Sequence, residues 1–313
     1  MTSCSKLVGL VLSAAATGVV SLPARALTPV NRFAFGDSYT TTAFSTTGPQ
    51  PAYGNPLGNP AYGQGTYAGG PNYVGLLTTK YNSTFVANYD FAVGGATISD
   101  SIVTYQGIPA SNEQVGQRFE PQSTQPHVNA WSSDNTIFSV FFGINDIGIT
   151  METAQYSNAT RIDDLLNAYF QTVDNMYNQG ARRFMFVGVP PMERSPFVQG
   201  NYDPTTQQQW GNLCNIFNGN LAQRVKLWQA SRPESYAAIY DFHRYATLVL
   251  HNPTAYGFLN AECIDTGGQA CIWWNDYHVG SRFHDLLAQR MLPAMNSLEF
   301  NSWAPTAGVG YFY

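Results

Sequence analysis

Charge is what this 313-residue chain has least of. It has 15 Lys and Arg and 20 Asp and Glu, together 11% of its residues, where an ordinary soluble domain carries about 25%. Asn, Gln, Ser, Thr and Tyr carry the polarity instead. The net charge of −5 and the lack of a basic stripe argue against nucleic acid as a partner, because phosphate recognition needs such a stripe. No Cys/His cluster has metal-ligand spacing, so no metal is expected. Beyond the first 26 residues no run is long and apolar enough to cross a bilayer. Neither an internal repeat nor a linker interrupts the chain, so residues 27–313 are expected to form one domain.

Cysteine is also scarce, at four residues. One of them, Cys4, lies in an N-terminal stretch with Lys6, an apolar run from Leu7 to Val20 and the sequence Ala24-Arg25-Ala26. That pattern is a secretory signal peptide, residues 1–26, with a small-x-small cleavage site before Leu27. Its removal leaves 287 residues with 13 basic and 20 acidic side chains, a net charge of −7. The expectation is a secreted, extracellular, monomeric protein without a membrane anchor. Cys263 and Cys271 flank a turn-rich loop that a disulfide could staple in an oxidising compartment. Cys214 falls on the helical stripe Trp210, Cys214, Phe217, Leu221, Val225, Trp228, and reads as a buried, inert thiol. Asn82 and Asn158 each open an N-x-S/T triplet and fit glycosylation.

What the chain does have is strand-helix alternation. Apolar runs at Phe33–Phe35, Val86–Val93, Thr136–Phe142, Phe184–Val189 and Ala237–Asp241 read as strands. Helical patterns lie at Asn72–Lys80, at Ile162–Tyr177 closed by Gly180, at about Gln207–Ser231, after Asp241 through His251, and from Phe283 onward. Such alternation gives an α/β fold with a parallel sheet covered on both faces. Residues 41–70, rich in Gly, Pro, Asn and Tyr, read as a long ordered loop. Its tyrosines Tyr53, Tyr62 and Tyr67, with Tyr73 beyond, could stack on sugar rings or pack the loop onto the body.

Side chains suited to chemistry cluster at the ends of these strands. Gly36-Asp37-Ser38 follows the first strand, where parallel sheets place ligands. Each of these residues also favours turns, so the triplet is weak evidence taken alone. Gly94-Gly95 ends the second strand and lets a ligand approach backbone N–H groups closely. Gly143-Ile144-Asn145-Asp146 ends the third, and an Asn amide there can donate to an oxyanion. His278 sits in a loop before the last helix, where a general base could reach a neighbouring strand end. His127, His243, His251 and His284 read as structural or loop residues.

Taken in order, Gly36-Asp37-Ser38, Gly95, Gly143-x-Asn145-Asp146 and His278 resemble the SGNH, or GDSL-type, hydrolase superfamily. Gly70-Pro71-Asn72-Tyr73, Val189-Pro190-Pro191-x-x-Arg194-Ser195-Pro196, Asn252-Pro253-x-x-Tyr256-Gly257-Phe258 and Trp273-Trp274 further resemble fungal secreted acetylesterases of carbohydrate esterase family 16. The resemblance implies a flavodoxin-like three-layer α/β/α sandwich and ester hydrolysis without a cofactor. It implies Ser38 as nucleophile and His278 as base, with the N–H groups of Ser38 and Gly95 and the amide of Asn145 as oxyanion hole. Asp37, Gly143 and Asp146 then take supporting roles. The implied substrate is an acetylated oligosaccharide or another small ester. A lipase or phospholipase on longer chains, and a non-catalytic carbohydrate-binding relative, are the alternatives.

The sequence departs from the family at one point. The family has Asp three residues before the catalytic His, and here that residue is Asn275, with Asp276 next to it. Either Asp276 turns to hold the imidazole as third triad member, or a backbone carbonyl near Asn275 accepts the ring N–H. The reading leans to Asp276, because an acid beside an essential His is the simplest stabiliser of imidazolium.

Overall fold

The computed structural model describes Met1 and residues 29–105, 107–125, 130–153 and 159–298. The expected signal peptide beyond Met1, His127 and Asn158 lie outside those residues. Among them one five-stranded parallel sheet is formed by β1 (Val30–Gly36), β2 (Val86–Asp90), β3 (Thr136–Phe141), β4 (Arg183–Val187) and β5 (Tyr236–Tyr240), in the order β2-β1-β3-β4-β5. Every residue of β1 and β3 is buried, as expected of central strands in a sheet covered on both faces.

The helices are α1 (Tyr73–Thr79), α2 (Ser111–Ser123, π-helical over Gln114–Phe119), α3 (Ile144–Glu152), α4 (Ala159–Asn178), α5 (Pro196–Asn201), α6 (Pro204–Ala230), α7 (Phe242–His251) and α8 (Ser281–Ser297). Strand order reverses direction at β1. Right-handed crossovers therefore send α1 to one face and the later crossover helices to the other. In keeping with this, α1 packs on α8, while α4 packs on α6. The flavodoxin-like three-layer arrangement is thus present, with its switch point between β1 and β3.

Two boundaries differ from the sequence reading for one reason. Asp203 caps α6 by accepting N–H bonds from Thr205 and Thr206, with Pro204 in the first turn; the helix begins three residues before Gln207. Asp241 likewise caps α7 through the Arg244 N–H, so β5 stops at Tyr240. Capping carboxylates, not apolar periodicity, set both ends. The free thiol Cys214 is buried, and Cys263 and Cys271 are joined in a disulfide.

Residues 41–70 contain no helix or strand, apart from an isolated bridge between Ala52 and Asn55. The loop is nonetheless anchored. Phe44 and Leu57 are buried. At its exit Asn72 does two jobs: its Oδ1 caps α1 at Gly75 N, and its Nδ2 donates to the carbonyls of Thr40 (2.7 Å) and Thr41 (3.0 Å). One side chain thereby ties the turn after β1 to the first helix.

An aromatic cluster holds β1 and β3 in place. Phe33 contacts Tyr89, Phe119 and Phe138 at 5.1–5.3 Å between ring centroids, and Phe138 also meets Phe35 and Phe184. Truncating Phe138 to Ala removes a ring from the middle of this cluster. We predict a loss of about 3–5 kcal/mol in unfolding free energy, read from urea denaturation as a lower midpoint with an unaltered slope.

Candidate active site

Four chain segments meet at the carboxyl edge of the sheet. The first is the turn after β1, which carries Ser38. Gly36 ends the strand and is gripped by a buried side chain, Gln114. Its Oε1 accepts from Gly36 N at 3.1 Å and its Nε2 donates to Gly36 O at 2.8 Å. Gln114 lies in the π-helical part of α2, a feature often found beside functional sites. Asp37 is fully buried and closes the turn by accepting the Tyr39 N–H at 2.9 Å. Burial pushes its carboxyl up to about 7. Its part is to shape the turn that presents Ser38.

The second and third segments are Gly94-Gly95 and the start of α3. Gly95 has φ +82°, and a β-carbon there would lie 2.7 Å from the Tyr105 ring, so only glycine fits. Gly143, before α3, has φ +121° and faces the Phe217 ring just as closely. Asn145 and Asp146 then enter the first turn of α3. Asn145 Nδ2 donates to Ala96 O at 2.9 Å, which uses one of its two N–H groups and leaves the other for a ligand. Asp146, buried and also pushed up to about 7, accepts the Ile98 N–H on both oxygens. These bonds lock the two segments to each other. Backbone and amide donors from the Ser38 turn, Gly95 and Asn145 line the same cavity.

The fourth segment is the loop bearing His278. Its Nε2 lies 2.7 Å from Ser38 Oγ, and its Nδ1 lies 3.1 Å from Asn275 Oδ1. Asn275 Oδ1 also accepts the backbone N–H groups of Tyr277 (2.9 Å) and His278 (2.6 Å). Two N–H donors require an oxygen at that position, so Nδ1 must be the donor of the third bond. Nε2 is then left as acceptor for the Ser38 hydroxyl, the tautomer a general base needs.

The third partner is therefore neither Asp276 nor a main-chain carbonyl. It is the side-chain oxygen of Asn275. The reason lies in the turn: an Asx side chain accepts from N–H groups two and three residues ahead, and this aims Oδ1 at His278. Asp276 projects the other way. It is exposed, it lines the mouth of the cavity, and its main-chain carbonyl accepts from Phe197 N. The signal was available in the sequence, since Asn275 holds the position three before His278 that the family gives to Asp. Gln114 had no comparable signal.

The cavity measures about 400 Å³ and is lined by Ser38, Gly94, Gly95, Asn145 and His278 together with Tyr67, Tyr105, Ile149, Glu152, Phe197, Asp276 and Tyr277. Neither Lys nor Arg is among these. Burial pushes the His278 imidazole down to about 4, and His284, buried behind it against Tyr39 and Tyr73, down to about 3. At the end of β2, Asp90 is raised to about 7 by burial and accepts the Thr42 and Ala92 N–H groups. No group of three or more His, Cys, Asp or Glu that could hold a metal ion occurs among the described residues.

The imidazole should therefore stay neutral well into acid. In a histidine NMR titration, His278 should change charge near pH 4, far below the ordinary value of about 6.5. Asn275→Asp puts an anion beside Nδ1, which favours imidazolium, and should move that midpoint upward.

Comparison with known proteins agrees with this geometry. A family model described as GDSL-like lipase/acylhydrolase matches residues 33–291. An acetylesterase of Thermothelomyces thermophilus is 35% identical over 262 residues, covering 83% of this chain and 86% of that protein. A GDSL esterase/lipase of Arabidopsis thaliana is 29% identical over 192 residues, or 51% of this chain and 52% of that one. In fold, the chain resembles Axe2, an acetylxylan esterase from Geobacillus stearothermophilus, with a TM-score of 0.51 at 14% identity over 88% of this chain and 97% of that one. The chain belongs to the GDSL-like lipase/acylhydrolase family of SGNH hydrolases and is a carboxylic ester hydrolase.

Proposed function

We propose that the protein is a secreted acetylesterase that removes acetyl, or other short acyl, groups from plant cell-wall oligosaccharides through a Ser38 acyl-enzyme. The carrying observation is the 2.7 Å contact between His278 Nε2 and Ser38 Oγ, at a cavity floored by Gly95 and Asn145. Ser38 Oγ attacks the ester carbonyl as its proton passes to His278 Nε2. The oxyanion is held by the N–H groups of Ser38 and Gly95 and the free N–H of Asn145. His278 returns the proton to the departing alcohol oxygen. It then takes a proton from water, whose oxygen attacks the acyl carbon and releases the acid and Ser38.

Several features support the substrate class. The cavity is small, and Glu152 and Asp276 stand at it with neither Lys nor Arg in its lining. An acidic rim disfavours a phosphate-bearing lipid and suits an uncharged alcohol such as a sugar. The 35%-identical fungal relative is named an acetylesterase. For secretion, the support is the N-terminal apolar run with its small-x-small end and the Cys263–Cys271 disulfide; N-terminal sequencing of protein secreted by a fungal host should begin at Leu27. The Asn82 triplet, with Asn158 outside the described residues, fits glycosylation in the same route.

Four variants test the mechanism. Ser38→Ala should lower turnover of a chromogenic acetate ester by several orders of magnitude with the fold intact. Asn145→Ala should lower kcat by about 10²–10³ with little change in KM. Asp276→Asn should stay within about tenfold of the parent. Asn275→Ala should cost about 10–10²-fold, the worth of one hydrogen bond to a group that becomes charged. A severe loss in Asp276→Asn with a mild one in Asn275→Ala would return the third role to Asp276.

Chain length tests the substrate. We expect kcat/KM to fall steeply from acetate to octanoate esters of one alcohol, and acetylated xylo-, manno- or cello-oligosaccharides to be deacetylated while phospholipid vesicles are not. Preference for long acyl chains would make the protein a lipase.

A further inference from the structure

In a serine hydrolase the third residue normally supplies a negative charge that stabilises the imidazolium formed at each proton transfer. Asn275 supplies none, and the carboxylates nearest the cavity mouth, Glu152 and Asp276, are exposed to solvent. What surrounds the His278 ring instead is aromatic. Tyr67 lies over one face, with centroids 5.2 Å apart and planes 27° apart. Tyr39 lies 5.4 Å away at 35°. Tyr277 and Trp274 approach at steep angles, at 5.6 and 6.2 Å.

Bonds that do not involve His278 hold Tyr39 itself and the segment that follows Tyr67. Tyr39 Oη donates to Tyr277 O at 2.6 Å. The backbone around Tyr67 is fixed to the histidine side of the site: Ser281 N donates to Ala68 O at 2.7 Å and Ser281 Oγ to Pro71 O at 2.7 Å. The Tyr67 hydroxyl sits against Gly94, where a β-carbon would lie 2.9 Å from it. Tyr67 therefore reaches from the base to the oxyanion turn, although 41% of its surface is exposed.

We propose that Tyr67, with Tyr39, is a positioning residue for His278: the two rings pack against the imidazole at shallow angles, and their faces stabilise the imidazolium of the transition state in place of the absent carboxylate. A cation within about 6 Å of a ring centroid is attracted by the ring's quadrupole, most strongly where water is excluded. Both centroid distances meet that condition. The charge is transient, since the proton that Nε2 takes from Ser38 Oγ passes on to the leaving alcohol. The stabilisation therefore falls on the transition state and should show in kcat.

This inference rests on the Ser38–His278 reading, and the experiment separates the two. The full chain is assayed on a chromogenic acetate ester as Tyr67→Phe, Tyr67→Leu and a series in which residue 67 is phenylalanine with one to three ring fluorines. Fluorine drains the quadrupole and barely changes shape. We expect Tyr67→Phe to stay within about twofold, Tyr67→Leu to lose about tenfold in kcat, equivalent to about 1.4 kcal/mol, and log kcat to fall steadily with fluorine count at constant KM. In an Asn275→Asp background, where a carboxylate supplies the charge, the Tyr67→Leu loss should shrink. Flat kcat across the fluorinated series, or a raised KM with unaltered kcat, overturns the proposal and leaves Tyr67 as packing or a substrate platform. Ser38→Ala, measured alongside, must be inactive; activity there would overturn the underlying reading as well.

Discussion

β1 lies between two parallel neighbours whose connections leave on opposite faces of the sheet, and the site follows from that constraint. A chain emerging at such a position enters a crevice that no crossover helix covers. Ser38 is two residues past the end of β1. The ends of β2 and β3 flank it, and they contribute Gly94-Gly95 and Asn145. The base cannot come from these strands, because their exits are already occupied. It arrives instead from the loop before α8, a helix that packs on α1 and so returns to the same edge.

The hydrogen bonds at this edge join segments far apart in sequence and give the site its rigidity. Gln114 grips Gly36, Asn72 grips Thr40 and Thr41, Asp146 grips Ile98, and Asn145 grips Ala96. Each is a side chain replacing a ladder partner that the sheet no longer provides at its end. Three of these four side chains are Asn or Gln. Neutral amides can both donate and accept in a dry interior, where an unpaired charge would be costly.

Much of this was legible in the sequence. The apolar run Thr136–Phe142 gave β3 and Phe33–Phe35 gave the second half of β1, whose first half was missed because Asn31 and Arg32 are polar yet buried. Ser38, Gly95, Asn145 and His278 could be picked out because each sits at a strand or loop end with a residue type suited to the work. What stayed hidden depended on side-chain direction. Asp276 looked like the acid because it is charged and adjacent, but a step of one residue in a turn points a side chain elsewhere. Tyr67 belongs to a loop without periodicity, so nothing local said which of its tyrosines meets the base. Gln114 acts across 78 residues from the middle of a helix whose π-helical stretch has no sequence pattern. The helix start at Pro204 was missed because a capping Asp resembles any polar surface residue.

The buried ionisable groups have a consequence for how the fold responds to pH. Asp37, Asp90 and Asp146 are held near 7 in the fold, against about 3.9 in an unfolded chain. Between those values the folded chain keeps protons that the unfolded chain has released, so this contribution is complete in acid and disappears as pH rises through about 7. His278 and His284, lowered to about 4 and 3, act with the opposite sign. Their contribution is complete above about 6.5 and disappears as pH falls through those lower values. The two sets oppose one another across the mildly acidic range. Dry groups at and near the catalytic edge therefore pull the pH dependence of folding in two directions at once, each through the charge that burial denies it.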